Sequence, residues 1–536
     1  MSDVILIGLP GSGKSSVGRL VAAGTGRAFL DLDEEFERRH GTPPAAFIET
    51  RGEAEFRAAE AVIARAAAAR ADTVIATGGG TVIDPVSRWL LWHAGPVVCL
   101  DAPDDVLLDR LAGHDVHRPL TRDAAALARR RAEREPFYRT ADLTVTGEME
   151  PEAAAQLITS WLAEHRSTPH TRVLLDAAVR RDHPMGPREA RILLGDHLDP
   201  AALADLVATH STGVPVVVVD ENVMAAQPHL VEAFPAGRRL LIDAGESNKR
   251  LTAAEAMLEF AAESRAERGD AWVAIGGGTT GDLVGTAAAL YMRGAPLIQV
   301  PTTWLAMSDA AIGGKVAVDL SAAKNSAGAF WPPVAVVGDI AVLATLSRDR
   351  KLDGMGECLK SGIIGDPWLW ELIRERGNAA LADGAEADLA ARHAMVERSA
   401  VLKLGVVDRD PFEAGERRTL NLGHTIGHAL EIESRYALPH GQAVVLGTRA
   451  VAHMAVARGL AEPALAAEID DVVASLGFAT HRSFDPAVVK HALTGDKKVR
   501  AGRLRWILPE AIGRVTQVDD VTEAEVDAAL AHIREP

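Results

Sequence analysis

Cysteine is almost missing from this 536-residue chain, which has only Cys99 and Cys358. Two thiols cannot build a disulfide framework, and no CxxC pair is present to hold a structural metal. No run of about 18 apolar residues occurs, so no segment reads as membrane-spanning. The start, Met1-Ser2-Asp3, enters the strand-like VILIG at once, without the basic residues and longer apolar stretch of a secretory signal; a cytoplasmic protein is expected. Positive charge is also short. The net charge is −17, and a uniformly acidic surface disfavours nucleic acid and anionic membranes as partners. Basic groups that hold an anionic substrate must therefore be local. Lys and Arg total 57, but only ten are lysines, and eight of those fall in the motifs described below. Scattered solvated charges would not cluster with glycines and histidines in this way.

Apolar residues make up 48% of the chain, enough for sizeable cores, and the length fits three or four domains at ~100–200 residues each. VILIG (4–8), VIAT (74–77) and VVCLD (97–101) read as buried strands separated by Ala-rich helices, the pattern of a parallel sheet with crossovers. The polar, aperiodic AEHRSTPHTR around 163–172 reads as an interdomain linker, assigned to 166–172. A second αβ series follows at 214–220, 238–245, 271–278, 296–301 and 334–339. After about Thr345 strand signals fade and a mostly helical domain is expected to the end.

Residues 8–15, GLPGSGKS, match G-x-x-x-x-G-K-[ST] between a strand and a helix. In such a loop Gly11, Ser12, Gly13, Lys14, Ser15 and Ser16 cradle nucleotide phosphates against a helix N-terminus. Lys14 would reach the β/γ-phosphates of ATP and Ser15 would hold Mg²⁺. Asp31-Leu32-Asp33, GEAEFR (52–57), TGGG (77–80), HRPL (117–120) and REPFY (134–138) then resemble shikimate kinase in order and spacing, over residues 1–165. That resemblance implies a P-loop fold acting on shikimate. Asp33 would bind the substrate hydroxyls and is a candidate base, and Asp31 would assist Mg²⁺. Arg57 and Arg134 would clamp the carboxylate, and Gly78, Gly79 and Gly80 would let the backbone approach the ring. Arg118 would lie on a lid and neutralise the transferred phosphoryl group. His114 and His117, in the same segment, read as solvated.

In the second half, IGGGTTGD (275–282) follows a strand and should open a helix, which suits a pyrophosphate although G-x-G-x-x-G is absent. Within RRTLNLGHTIGH (417–428), Asn421, His424 and His428 would share one face if helical. His424 and His428 have metal-pair spacing, His440 could add a distant ligand, and Glu357 and Lys360 in GECLK share another helical face. The Glu of H-E-x-x-H is missing, which argues against a metalloprotease. Carboxylate with imidazole suits Zn²⁺, or Co²⁺ in its place.

These segments resemble 3-dehydroquinate synthase, together with DENV (220–223), GESNK (245–249), YMRG (291–294), PTTWLAMSDAAIGGK (301–315), AKN (323–325), PHG (439–441) and DKK (496–498). The resemblance covers residues 172–536 and implies an α/β nucleotide-binding domain at 173–344 and a helical metal-binding domain at 345–536. By it, Glu357, His424 and His440 would be the metal ligands. Asp220, Asn222, Glu246, Lys249, Gly277, Gly278, Asp282, Thr302, Thr303 and Thr345 would line an NAD site. Asp309, Lys315, Lys324, Asn325, Lys360, Lys403, Arg417, Asn421 and His428 would hold a sugar phosphate acid, 3-deoxy-arabino-heptulosonate 7-phosphate. One of Lys497 and Lys498 would bind phosphate, with Lys498 favoured. Arg293 is a candidate to reach a neighbouring subunit's site, and a homodimer through this half is expected. NAD⁺ would be used catalytically: a ring hydroxyl is oxidised, phosphate is eliminated, the ketone is reduced again, and an aldol closure follows.

Trp304, Ala310-Ala311, Asp319 and Gln442 depart from the usual pattern, which leaves a sibling sugar phosphate cyclase as an alternative. A polyol dehydrogenase is disfavoured by the basic cluster, since a neutral polyol needs none. A gluconate or nucleoside kinase is disfavoured by Arg57 and Arg134 with TGGG. A degenerate, non-catalytic module should have lost Lys14, Asp33, Glu357 or His424, and none is lost.

Overall fold

The computed structural model describes residues 2–112, 123–146, 148–165, 171–181, 183–184, 186, 188–232, 234–321, 323–494 and 504–535. The chain divides into two compact units, residues 1–178 with 191–198, and residues 179–190 with 199–536. Arg118, Lys497, Lys498 and most of the expected linker lie outside the described residues. Among the described residues no helix is long and apolar enough to cross a membrane.

The first unit holds five parallel strands, β1 (Val4–Ile7), β2 (Ala28–Asp31), β3 (Thr73–Ala76), β4 (Val97–Asp101) and β5 (Leu143–Thr146), in the order β2-β3-β1-β4-β5. All four residues of β1 are buried, as a central strand covered on both faces requires. On one face, Val17 and Val21 of the Lys14–Thr25 helix pack on Val4, Leu6 and Val98. The unit runs past residue 165: Arg172, at the end of the segment read as a linker, opens strand β6 (Arg172–Arg181). Its buried guanidinium pairs with Asp142 at 2.9 Å and donates to Gly95 O.

β6 neighbours β7 (Arg188–Asp196), and the sheet of the second unit has the order β14-β11-β10-β8-β9, with β8 (Val216–Asp220), β9 (Arg239–Ile242), β10 (Trp272–Gly276), β11 (Leu297–Pro301) and β14 (Ala335–Asp339). Strands β14, β11, β10, β8 and β9 are parallel neighbours, the five expected from their apolar runs. Between β11 and β14 lies an antiparallel hairpin, β12 (Lys315–Leu320) and β13 (Ala323–Phe330), that presents Lys315, Lys324 and Asn325.

Among the described residues beyond Thr345 the regular elements are helices and one hairpin, β15 (Trp506–Ala511) and β16 (Arg514–Val518), which the fading strand signal concealed. The Arg348–Gly365 helix is the axis of this region, with every residue from Lys351 to Ile364 buried. Gly356 meets Gly441 of the His440–Ala457 helix so closely that a Cβ on Gly356 would lie 2.6 Å from Gly441 O. Two glycines thus let two backbones approach, and the neighbours Glu357 and His440 converge.

Candidate active sites

In the first unit, Gly11 (φ 85°) and Gly13 (φ 92°) turn the loop after β1 through the left-handed region, which a Cβ would strain. Lys14 Nζ donates to Gly8 O (2.9 Å) and Leu9 O (3.0 Å), and this holds the ammonium over the loop. Ser15 Oγ donates to Asp31 Oδ2 at 2.5 Å, while Asp31 Oδ1 caps the next helix by accepting from the Asp33 and Glu34 amides. Asp31 is thus both a helix cap and a neighbour of Ser15.

Arg57 pairs with Glu60 (2.6 Å) and Glu53 (2.9 Å), and Thr81 Oγ1 donates to Glu60 Oε1. A Cβ on Gly80 would overlap the Arg57 guanidinium, and one on Gly78 would come 3.0 Å from Asp33 Oδ1. Arg134 is 2% exposed, yet its Nε and Nη1 have no hydrogen-bond partner. A Cβ on Gly79 would be 3.4 Å from that Nη1. A buried guanidinium without an acceptor is costly unless an anion arrives to fill the place. Asp33, Arg134 and Arg57 therefore lie against Gly78, Gly79 and Gly80 of one turn. Glu60, which the sequence reading missed, was signalled only by its i+3 spacing from Arg57.

In the second unit, the dinucleotide candidates lie beyond the carboxyl ends of parallel strands, where open α/β sheets bind ligands. Asp220 ends β8 and accepts from the Asn222 amide (2.8 Å), and Gly277 and Gly278 open the Gly278–Leu290 helix after β10. Thr302 and Thr303 follow β11, and Thr345 ends a 3-10 turn after β14. Buried Thr302 Oγ1 has no hydrogen-bond partner, and the Gly278 helix has no side-chain cap, so donors are left for a phosphate-bearing group. Lys249 pairs with Asp282 (2.5 Å) and donates to Asn325 Oδ1 (2.6 Å), and Thr279 Oγ1 donates to Glu246 Oε2 (2.9 Å).

A cavity of about 890 Å³ opens beside them. Asp282, Lys315, Lys324, Asn325, Asn421 and His428 line it, as do Asp309, Lys360, Lys403 and Arg417. Lys403 Nζ bonds Asp309 Oδ2 at 2.6 Å, Lys360 lies 3.5 Å from Asp309 and against Glu357, and Lys315 contacts Glu413. Arg417 donates to Gly313 O and Pro411 O. Burial holds the Lys403 ammonium below the usual lysine range, with Asp309 opposing. Arg293 is exposed and lines no part of this cavity.

One expectation is corrected. Asn421 does not share a helix with the two histidines: it ends a 3-10 turn, and Gly423 (φ 74°) starts the helix at His424. A Cβ on Gly423 would overlap Val444 O, so the two helices meet there without room for another residue. Asn421 still reaches the cavity and donates to Glu413 Oε1 (2.7 Å).

Ligand atoms of Glu357, His424 and His440 lie within 4.8 Å of one another. His440 Nε2 is 3.3 Å and His424 Nε2 3.6 Å from Glu357 Oε1. Both Glu357 oxygens are buried, with Lys360 against Oε2 and the two imidazoles facing Oε1. His424 Nδ1 faces Leu422 O (3.1 Å) and His440 Nδ1 faces Glu431 Oε2 (3.4 Å). Each contact suits an Nδ1–H and leaves the Nε2 lone pair directed at the carboxylate, so the donor set fits a divalent cation. Without the cation, burial works against the His440 imidazolium, but hydrogen bonds to Glu357 and Glu431 outweigh it and push its pKa up to about 10. Burial would raise the Glu357 carboxyl, but Lys360 and His440 hold it well below its usual range. The second triple, His428, Glu431 and His440, would use the other His440 nitrogen, where Glu431 is already engaged. Glu413 and Glu431 escaped the sequence reading, as did Arg418 and Arg505, which line the cavity.

These arrangements define a P-loop kinase joined to an enzyme with a dinucleotide crevice and a carboxylate–imidazole cation centre. The shikimate kinase family matches residues 10–163, and the N-terminal and C-terminal families of 3-dehydroquinate synthase match 239–353 and 354–499. A 3-dehydroquinate synthase of Xanthomonas campestris is 39% identical over 354 residues, covering 62% of this chain and 94% of the relative. A 2-epi-valiolone synthase of Actinosynnema mirum is 38% identical over 342 residues, covering 62% and 88%. A solved 2-epi-5-epi-valiolone synthase from Streptomyces hygroscopicus, with NAD⁺ and Zn²⁺ bound, superposes with a TM-score of 0.59 at 28% identity, covering 64% of this chain and 96% of that one. The chain belongs to the 3-dehydroquinate synthase family, with a shikimate kinase domain ahead of the synthase.

Proposed function

We propose that this chain is a bifunctional shikimate-pathway enzyme. Its first unit phosphorylates shikimate with ATP, and its second cyclises 3-deoxy-arabino-heptulosonate 7-phosphate to 3-dehydroquinate with release of phosphate. The observation that carries the kinase reading is buried Arg134 beside Gly79, whose Nε and Nη1 have no hydrogen-bond partner and leave a place for a carboxylate. The observation that carries the synthase reading is the cavity, in which Lys315, Lys324, Lys360, Lys403 and Arg417 converge beside the Glu357–His424–His440 centre.

In the kinase, MgATP supplies the phosphoryl group. Lys14 would meet its β/γ-phosphates, Ser15 and Asp31 would face the ion, Arg57 and Arg134 would hold the acid, and Asp33 would orient the attacking hydroxyl. In the synthase, NAD⁺ would accept and return a hydride while Zn²⁺ or Co²⁺, held by Glu357, His424 and His440, polarised the oxidised hydroxyl. Asp309 would keep the Lys360 and Lys403 ammoniums in place against the substrate. The solved relative carries NAD⁺ and Zn²⁺, which supports this pair of cofactors. We place the enzyme in the cytosol as a homodimer through the synthase half, where exposed Arg293 is available to a neighbouring copy.

The valiolone synthases among the relatives favour a second reading for the synthase half, cyclisation of a sugar phosphate that lacks the acid group. One experiment separates them. With Zn²⁺ and catalytic NAD⁺, the purified protein is expected to release phosphate from the heptulosonate phosphate, and to form ADP from shikimate and MgATP in a parallel well. Phosphate release only from the heptulose phosphate without a carboxylate would replace the synthase reading with the second one. NADH accumulating on a polyol would replace both with a dehydrogenase.

Gly80→Ala tests the acid clamp. Gly80 has an ordinary φ of −109°, so the added Cβ costs little backbone strain and instead displaces the Arg57 guanidinium. Loss of one charge-assisted hydrogen bond, about 1.5–3 kcal/mol, predicts a shikimate KM raised by ~10–100-fold with the melting temperature nearly unchanged.

A further inference from the structure

Glu431 has no role in the reaction as described, yet it is 3% exposed and sits between the two halves of the synthase site. It lies on the His424–Glu433 helix, about two full turns beyond His424, and its two oxygens meet different partners. Oε2 lies 3.4 Å from His440 Nδ1. Oε1 accepts from Lys324 Nζ at 3.1 Å. Lys324 in turn lies 2.9 Å from Glu246 Oε1 on the dinucleotide side, with its ammonium 4.9 Å from the Tyr436 ring centroid. A continuous chain of charged groups therefore runs from Glu246 through Lys324, Glu431 and His440 to Glu357.

We propose that Glu431 is a positioning residue that ties the cation affinity of the Glu357–His424–His440 centre to the state of Lys324. This deepens the synthase reading and rests on it. The physical basis is the sharing of one buried carboxylate. An acceptor on His440 Nδ1–H fixes the ring and raises the basicity of Nε2, the nitrogen that faces Glu357. While Lys324 holds Oε1, its positive charge draws electron density from the same carboxylate and weakens that effect. When an anion entering the cavity takes Lys324 for itself, Glu431 is left to His440 alone and the centre binds its cation more tightly. By thermodynamic linkage the cation then tightens the anion by the same factor. His428 Nε2, 4.0 Å from Oε2, is too distant to replace His440 in this exchange.

The test measures Co²⁺ affinity of the metal-stripped full-length protein by competition with a chelator, together with the visible absorption of bound Co²⁺. Neither readout depends on turnover. Glu431→Gln keeps the shape of the side chain and is expected to weaken Co²⁺ binding by ~10–100-fold and to alter the Co²⁺ spectrum. Lys324→Met leaves Glu431 in place and is expected to tighten Co²⁺ several-fold. In the double variant the Lys324→Met gain should vanish, because the carboxylate that transmits it is gone.

Equal affinity and spectrum in wild type and Glu431→Gln would overturn the proposal. So would a Lys324→Met gain that persists in the Glu431→Gln background, since that is direct repulsion through space. A wild type that binds no Co²⁺ would overturn the cation reading of the site itself, and this outcome is distinct from the other two. Lys324→Met removes no buried carboxylate, so its arm survives poor folding of Glu431→Gln: unchanged or weaker Co²⁺ binding in Lys324→Met would by itself overturn the proposal.

Discussion

Replacing Lys14 with Met is expected to lower the kinase kcat by ~10²–10³ or more while the synthase in the same polypeptide keeps its rate. Lys14 is 9% exposed and already fixed by the Gly8 and Leu9 carbonyls, so its charge is in place before nucleotide arrives. Preorganised charge of this kind acts on the transition state without reorganisation, and removing a single fixed donor elsewhere typically costs about 2.7–4 kcal/mol. The methionine keeps the stem packed but takes a donor from the Gly8 and Leu9 carbonyls, of which Leu9 O retains the Ser12 amide, so a small loss of stability in the first unit is also expected. The synthase provides an internal standard for concentration and integrity. ADP formation from shikimate and MgATP, read beside phosphate release by the synthase, checks the prediction. Comparable loss in both activities would point to general unfolding, and an unchanged kinase rate would remove Lys14 from the site.

His424→Ala is expected to do the converse. Synthase turnover should fall by about 10³-fold, the scale of the several kcal/mol that a bound cation contributes, with kinase activity retained. His424 opens its helix directly after Gly423, with Nδ1 on Leu422 O and Nε2 toward Glu357, so alanine removes a ligand atom without removing a packing element. Zinc content of the purified protein should drop with the activity. In the wild type, cation binding must also displace the proton that Glu357 and Glu431 hold on His440, whose pKa is raised to about 10. Zn²⁺ affinity is therefore expected to rise as pH increases from 6 to 9. Titration with a chelator across that range checks the sign, and a flat profile would mean that His440 binds the ion without losing a proton.

Much of this was legible without coordinates. The phosphate loop and the five parallel strands of the second sheet are local signals, glycine and lysine at fixed offsets and short apolar runs, whereas local spacing offered His424 with His428 and only the family resemblance implied the set Glu357, His424 and His440. Such patterns survive in one dimension because backbone sterics and strand burial act over a few residues. The hairpin β15–β16 and the break between Asn421 and His424 were not legible in this way. The hairpin has only a brief apolar run, and the break depends on Gly423 taking a left-handed conformation against Val444 O, which is 21 residues away in the chain.

The sequence by itself determined which chemistry the chain can hold, because the residue types that bind phosphate, carboxylate and divalent cations appear there in ordered motifs. Only the tertiary structure decided how those groups are arranged. Gly356 against Gly441 brings Glu357 to His440, and Asp309 holds Lys360 and Lys403 together. Nε and Nη1 of buried Arg134 are left without an acceptor, and Glu431, silent in the sequence, stands between Lys324 and His440. Partnership between charges is a matter of a few ångströms across distant segments, and a carboxylate that positions a neighbour has the same letter as one that merely faces solvent.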